Sequence, residues 1–162
     1  NEIASWGKNI YVKIPITNSK GEKTSKLVKK LLDKGIKCNV TAILTLEQVK
    51  EIYNISENKT EVIISIFAGR IADTGIDPIK IMTDSVNLCN SKDKIKILWA
   101  STRELLNIFQ ANEIGCHIIT VPNDILKKIS NIGKNLNELS LETVKMFLAD
   151  ATNAGFKIKI NK

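Results

Sequence analysis

Short apolar runs alternate along this chain with segments whose apolar positions recur at helical spacing. Residues 10–15 (IYVKIP), 37–44 (KCNVTAIL), 61–67 (EVIISIF), 96–100 (KILWA) and 116–121 (CHIITV) each read as a strand. Between the first two, Leu27, Val28, Leu31 and Leu32 share one helical face, which predicts a helix over 23–33 closed by Gly35. Thr45 with Gln48 three residues on predicts a capping box for a helix reaching residue 54. A glycine-containing turn after the third strand leads to a helix over 79–88, opened by the pair Asp77 and Pro78. A helix over 102–111 ends before Gly115, and Pro122 starts a short one to residue 129. A last helix is predicted over 141–154, with Ser140 as its cap and Gly155 past its end. The lysine-rich tail at 157–162 is expected to be exposed.

Strands alternating with helices predict right-handed crossovers and a parallel sheet, an α/β fold. The repeat length fits a (β/α) barrel. A flavodoxin-like open sheet is the alternative, because five strands suffice for it. No glycine-rich phosphate loop follows the first strand, which argues against dinucleotide and P-loop folds.

Composition narrows the classes. The chain has 162 residues, 43% hydrophobic and 25% charged, enough for one domain with a core. No run is long and apolar enough to span a membrane, and no secretory signal opens the chain. A cytoplasmic protein without membrane attachment is the expectation. Cys38, Cys89 and Cys116 match no metal spacing and read as small buried hydrophobes. His117, the single histidine, lies in an apolar strand and reads as structural. The net charge is +7, but the lysines are scattered, so no nucleic-acid partner is expected. An anionic small substrate suits the same balance. Of 24 cationic residues only Arg70 and Arg103 are arginine. Arginine differs from lysine in its rigid bidentate fork, which matches phosphate or carboxylate. A buried structural ion pair is the alternative for both.

In parallel α/β folds, chemistry gathers at the C-terminal ends of the strands. Polar residues near those ends are Lys13, Asn39, Thr41, Ser65 followed by Arg70, and Ser101 with Arg103. Strand alternation places Asn39 and Thr41 on one face, Ser65 and Phe67 on one face, and Tyr11 with Lys13. Lys13 stands inside an apolar strand, where burial is expected and would disfavour the charged ammonium. A neutral amine attacks a ketone to form a Schiff base, an electron sink. The structural alternative is a strand-end lysine reaching solvent past Pro15.

Four motifs, 11–17 (YVKIPIT), 38–41 (CNVT), 64–73 (ISIFAGRIAD) and 99–103 (WASTR), resemble the transaldolase family in order and approximate spacing. The segment 141–147 (LETVKMF) resembles the end of its smaller members, so the likeness covers nearly the whole chain. The resemblance implies a (β/α)8 TIM barrel. It implies that Lys13 forms the Schiff base, that Asn39 bonds the dihydroxyacetone portion, and that Thr41 helps position the catalytic water. Ser65 would line the pocket, and Arg70, Ser101 and Arg103 would hold the phosphate. Phe67 stands where the related fructose-6-phosphate aldolases carry a tyrosine, which favours transfer to an aldehyde acceptor; barrel filling is its structural alternative.

By the same resemblance Lys13 lies on the fourth strand, so residues 1–162 read as one partial barrel domain holding strands four to eight. The opening segment 1–7 (NEIASWG) reads as the tail of a helix, and strands one to three, with their aspartate, asparagine and glutamate, have no counterpart here. Neither Asp73 nor Glu47 is assigned those roles. The expected activity is a class I transaldolase of sugar-phosphate metabolism, as in the pentose phosphate pathway. It would move a dihydroxyacetone unit between phosphorylated ketose and aldose substrates without metal or organic cofactor. Release of free dihydroxyacetone, or a sugar-phosphate-binding module without catalysis, are the alternatives. Homo-oligomerisation stays open.

Overall fold

A computed structural model describes residues 1–155 and 157. Lys157 is exposed, and the rest of the lysine-rich tail lies outside the described residues. Strands β1 (Val12–Pro15), β2 (Cys38–Ile43), β3 (Val62–Ile66), β4 (Ile95–Trp99) and β5 (Ile118–Ile119) form one parallel sheet. Its order is β1-β2-β3-β4-β5. The crossovers carry α1 (Ser25–Asp33), α2 (Leu46–Ile55), the pair α3 (Ala68–Ala72) and α4 (Ile79–Cys89), and α5 (Leu106–Glu113); α6 (Asn123–Leu126) follows β5.

That order decides between the two α/β architectures. A doubly wound sheet reverses its strand order at a switch point. Here every crossover steps the same way, and with right-handed connections that sends the helices to one face of the sheet. The result is a five-stranded section of a (β/α) barrel rather than a flavodoxin-like sheet.

The core follows from the same geometry. Val40, Ile64 and Ile97 point to the helical face, where they pack with Val28, Leu32, Val49, Ile52, Met82 and Val86. Burying each such side chain is worth about 1.5–3 kcal/mol, and that face holds the layers together. Strand alternation turns Asn39, Ser65 and Leu98 to the other face.

Two sequence signals act as read. Thr45 Oγ1 accepts from the backbone N–H of Gln48 at 3.3 Å while Gln48 Oε1 accepts from the N–H of Thr45 at 3.2 Å, which completes the capping box of α2. Asp77 accepts from the N–H of Ile79 at 2.9 Å and opens α4. Burial pushes the thiols of Cys38 and Cys89 up to about 11 and that of Cys116 upward, so all three favour the protonated, unreactive form.

Elsewhere the elements differ from expectation, each for a local reason. The opening segment forms a single 3-10 turn, Ile3–Trp6. The short helix α3 fills what read as a turn after β3. Helix α5 begins at Leu106 because the preceding residues are held as a loop, with Thr102 Oγ1 donating to the carbonyl of Thr120 at 2.7 Å. Strand β5 is two residues long. The N–H of Ile97 donates to His117 Nδ1 at 3.2 Å, and Cys116 Sγ donates to the carbonyl of Ile97 at 3.4 Å. Side chains thus occupy the backbone groups that a longer ladder would use.

The chain divides into two compact units, Asn1–Leu126 and Lys127–Lys162. The second contains a 3-10 turn (Lys127–Asn131) and α7 (Leu136–Asn153). Helix α7 starts five residues before the predicted 141. Asn135, not Ser140, caps it: Asn135 Oδ1 accepts from the N–H groups of Asn137 at 2.8 Å and Glu138 at 3.3 Å. Among the described residues no helix is long and apolar enough to cross a membrane.

Two predictions follow from the packing below the sheet and at its edge. Lys92 Nζ donates to the carbonyls of Tyr53 at 2.7 Å and Ser56 at 2.6 Å at the end of α2, and lies 4.0 Å from the Tyr53 ring centroid. Lys92→Met should therefore lower unfolding stability by about 1–3 kcal/mol in urea titration, because two carbonyls lose a charged donor. His117 accepts through Nδ1, which a protonated ring cannot do, and partial desolvation, with Lys96 nearby, holds it below its ordinary value of 6.5. The folded chain then binds fewer protons than the unfolded chain just below that value. This stabilisation is present above pH 6.5 and is lost as pH falls through the depressed folded pKa. His117→Gln should flatten the acid side of the thermal-stability profile.

Candidate functional site

The C-terminal ends of the strands open into a pocket of about 320 Å³. Its walls include Lys13 from β1, Asn39 from β2, and Ser65 from β3 with Phe67 just beyond it. Arg70 from α3 and Ser101 from the loop after β4 line it as well. Six of the eight residues singled out from sequence thus meet in one place, at a size suited to a small ligand.

Each arrives by a definable route. Register pairs Lys13 with Asn39 across β1 and β2, so their side chains neighbour one another on the polar face. Ser65 is buried, and its hydroxyl donates to Asn39 Oδ1 at 2.7 Å. That bond occupies the amide's acceptor and leaves the Nδ2 hydrogens available to a ligand oxygen. Arg70 lies over the Phe67 ring, 5.2 Å from its centroid, and among the described residues no carboxylate forms an ion pair with it. The pocket therefore presents one amine and one unneutralised guanidinium.

The expectation of a buried Lys13 does not hold. Lys13 is exposed, because β1 pairs only with β2 and its other edge carries no partner among the described residues. Thr41 behaves oppositely. It is 7% exposed, does not line the pocket, and its hydroxyl is buried without a hydrogen-bond partner among the described residues. Beside it the chain breaks register between Val40 and Ile43, with Ala42 at φ 60°. A bulge of this kind re-aims its neighbours and is frequent beside functional sites.

Arg103 stands outside the pocket that holds Lys13. Its Nε donates to Asp73 Oδ1 at 3.2 Å and its Nη2 to Asp73 Oδ2 at 2.5 Å. It lines an adjoining cavity of about 390 Å³ with Thr102, Val121 and Pro122, and that cavity shares Ser101 and Thr120 with the first.

Sequence reasoning missed four participants. Thr120 lines both cavities from just beyond β5, where the rule of polar residues at strand ends would have found it. Asp73 takes the Arg103 fork, foreshadowed only by its place one helical turn after Arg70. Asn107 Oδ1 accepts from the N–H groups of Arg103 and Glu104, each at 3.0 Å, and so fixes the loop backbone. Gly69 has no chemical signal in sequence. A Cβ there would lie 1.6 Å from the carbonyl oxygen of Ser101. Only hydrogen at this position lets α3 close on the loop that bears Ser101, itself at φ 63°.

Among the described residues no group of three or more His, Cys, Asp or Glu side chains could hold a metal ion. A five-stranded section of a (β/α) barrel, with an amine and two guanidiniums beyond its strand ends, defines the class: a parallel α/β barrel protein. The chain belongs to the transaldolase/fructose-6-phosphate aldolase family, which it matches over residues 1–160. It is 33% identical over 158 residues to a probable transaldolase of Thermoanaerobacter sp. (strain X514), covering 97% of this chain and 67% of that one. A probable transaldolase of Clostridium acetobutylicum is 35% identical over 142 residues, 87% of this chain and 61% of the relative. One from Desulforamulus reducens is 32% identical over 150 residues, 92% and 63%. The chain thus spans 61–67% of the length of these relatives. A solved structure titled "Native KDPGal structure" aligns over 70% of this chain and 69% of its own at 14% identity and a TM-score of 0.27, too low to carry an argument.

Gly69→Ala should cost about 1–3 kcal/mol or more in thermal unfolding, since the methyl meets backbone rather than a yielding side chain. Gly75→Ala, at φ 83° with open space around it, should cost less.

Proposed function

We propose that this chain carries the Schiff-base two-thirds of a transaldolase, which transfers a dihydroxyacetone unit from a ketose phosphate to an aldose phosphate. The observation that supports it is the meeting of Lys13, Asn39, Ser65, Phe67, Arg70 and Ser101 around one pocket. In this reading the chain supplies the fourth to eighth strands of a barrel. The open edge of β1 and the greater length of the relatives favour that arrangement.

Lys13 Nζ, as the neutral amine, attacks the ketone carbon, and the resulting carbinolamine loses water to give an iminium. A base removes the proton of the hydroxyl two carbons from the iminium carbon. The bond between that hydroxyl-bearing carbon and the carbon next to the iminium breaks, the former leaves as the aldehyde of an aldose phosphate, and the electron pair is stored as an enamine on Lys13. The enamine adds to an acceptor aldehyde, and water then cleaves the new iminium and frees the lysine. Asn39, oriented by Ser65, donates to a hydroxyl of the three-carbon unit. Arg70 and Ser101 hold the phosphate, with Arg103 at the adjoining cavity. Thr41 would help position the catalytic water by the family resemblance alone, since its hydroxyl is buried and does not line the pocket with Lys13. Among the described residues no carboxylate lines the pocket with Lys13.

Phe67 presents no hydroxyl to the pocket and so favours transfer over hydrolysis. Turnover without an acceptor, with free dihydroxyacetone as product, would assign the protein to the aldolase branch instead.

Borohydride reduction in the presence of fructose 6-phosphate, read by peptide mass spectrometry, should place a reduced three-carbon adduct on Lys13. Lys13→Met should abolish it. Phosphate-dependent binding with no adduct, in a form of the protein carrying the whole barrel, would reduce the reading to a binding module.

A further inference from the structure

Arg103 and Asp73 are both about half exposed, with side-chain exposures of 49% and 53%. An ion pair so placed contributes little to stability. Yet its geometry is heavily determined. Asn107 holds the backbone N–H of Arg103, Thr102 ties the loop to Thr120, and Gly69 lets the carbonyl of Ser101 settle on α3. On the other side, Asp73 closes α3 with its own N–H bonded to the carbonyl of Gly69 at 3.0 Å. Four contacts thus bring this carboxylate and this guanidinium together in one orientation, which serves position rather than stability.

The bond pattern defines that orientation. Asp73 takes the Nε and one Nη2 hydrogen, one edge of the guanidinium fork. An arginine carries five N–H donors, so three remain. They belong to a side chain that lines the cavity shared with Ser101 and Thr120, next to the pocket with Lys13 and Arg70. Without Asp73 the long side chain would be free to rotate, and each bond to an anion would have to order it again.

We propose that Asp73 is a positioning residue for substrate selection: it holds the Arg103 guanidinium edge-on so that its remaining N–H groups meet the phosphate of a phosphorylated substrate at the junction of the two cavities. This rests on the reading of the site given above. Asp73 touches no reacting atom. It decides whether the second arginine acts as a preset clamp or as a loose cation, and hence how strongly phosphorylated sugars are preferred over unphosphorylated ones.

The test compares the wild type with Asp73→Asn and Asp73→Glu. The concentration giving half-maximal borohydride-trapped Lys13 adduct is measured with fructose 6-phosphate and with dihydroxyacetone. Inorganic phosphate binding is titrated calorimetrically in parallel. Asp73→Asn should raise the half-saturating fructose 6-phosphate concentration about 10-fold, more than that for dihydroxyacetone, and weaken phosphate binding by a similar factor. Asp73→Glu, which keeps the carboxylate, should recover most of the loss; a damaged fold would instead shift both sugars alike and leave Glu no better than Asn. Equal shifts for both sugars, unchanged or tighter phosphate binding in Asp73→Asn, or no phosphate binding by the wild type would overturn the proposal. Failure of the wild type to form a Lys13 adduct while phosphate binding still depends on Asp73 would sink the Schiff-base reading and leave this one standing.

Discussion

The close approach of Gly69 to the carbonyl of Ser101 is the contact on which the rest of the site depends. A β-carbon there would overlap the oxygen, so the backbone after β3 and the backbone after β4 can touch only because one of them lacks a side chain. The touch sets where α3 lies. It therefore sets Arg70 on the pocket side of that helix, and Asp73 at its end facing Arg103. It also holds Ser101 in a left-handed conformation that few non-glycine residues adopt, turned into both cavities. One missing methyl group thus coordinates four polar side chains from two crossovers.

The two arginines have different electrostatic fates. Arg70 rests on the face of Phe67 with no carboxylate paired to it among the described residues, whereas Arg103 shares its charge with Asp73. One guanidinium is thus free of a carboxylate and the other is held in a fixed orientation by one.

The sheet separates support from chemistry by strand alternation. Val40, Ile64 and Ile97 face the helices, and Asn39, Ser65 and Leu98 face the other way. Because the register is parallel and the strand order sequential, polar residues one strand apart fall side by side. That is how Lys13 meets Asn39, and how the Ser65 hydroxyl reaches Asn39 Oδ1. The bulge at Ala42 interrupts the alternation once, beside Thr41, whose hydroxyl is the polar-face group left inside without a partner.

Much of this was legible in sequence because it is local or periodic. The five apolar runs, the Thr45 and Gln48 capping box, and the amphipathic face of α1 each depend on neighbours a few residues away. The rarity of arginine pointed to Arg70 and Arg103 through chemistry alone, and four motifs in order pointed to the family. What sequence could not decide was everything set by partners distant along the chain. The sequential strand order, which separates a barrel section from an open doubly wound sheet, depends on pairing between strands some twenty to thirty residues apart. Lys13 looked buried among its apolar neighbours, yet its exposure depends on what pairs with β1, and only β2 does so here. Asp73 looked like any surface acid until the fold carried it thirty residues along the chain to Arg103. Apolar periodicity records which face a residue turns to the core; only tertiary packing determines which side chains meet on the other face.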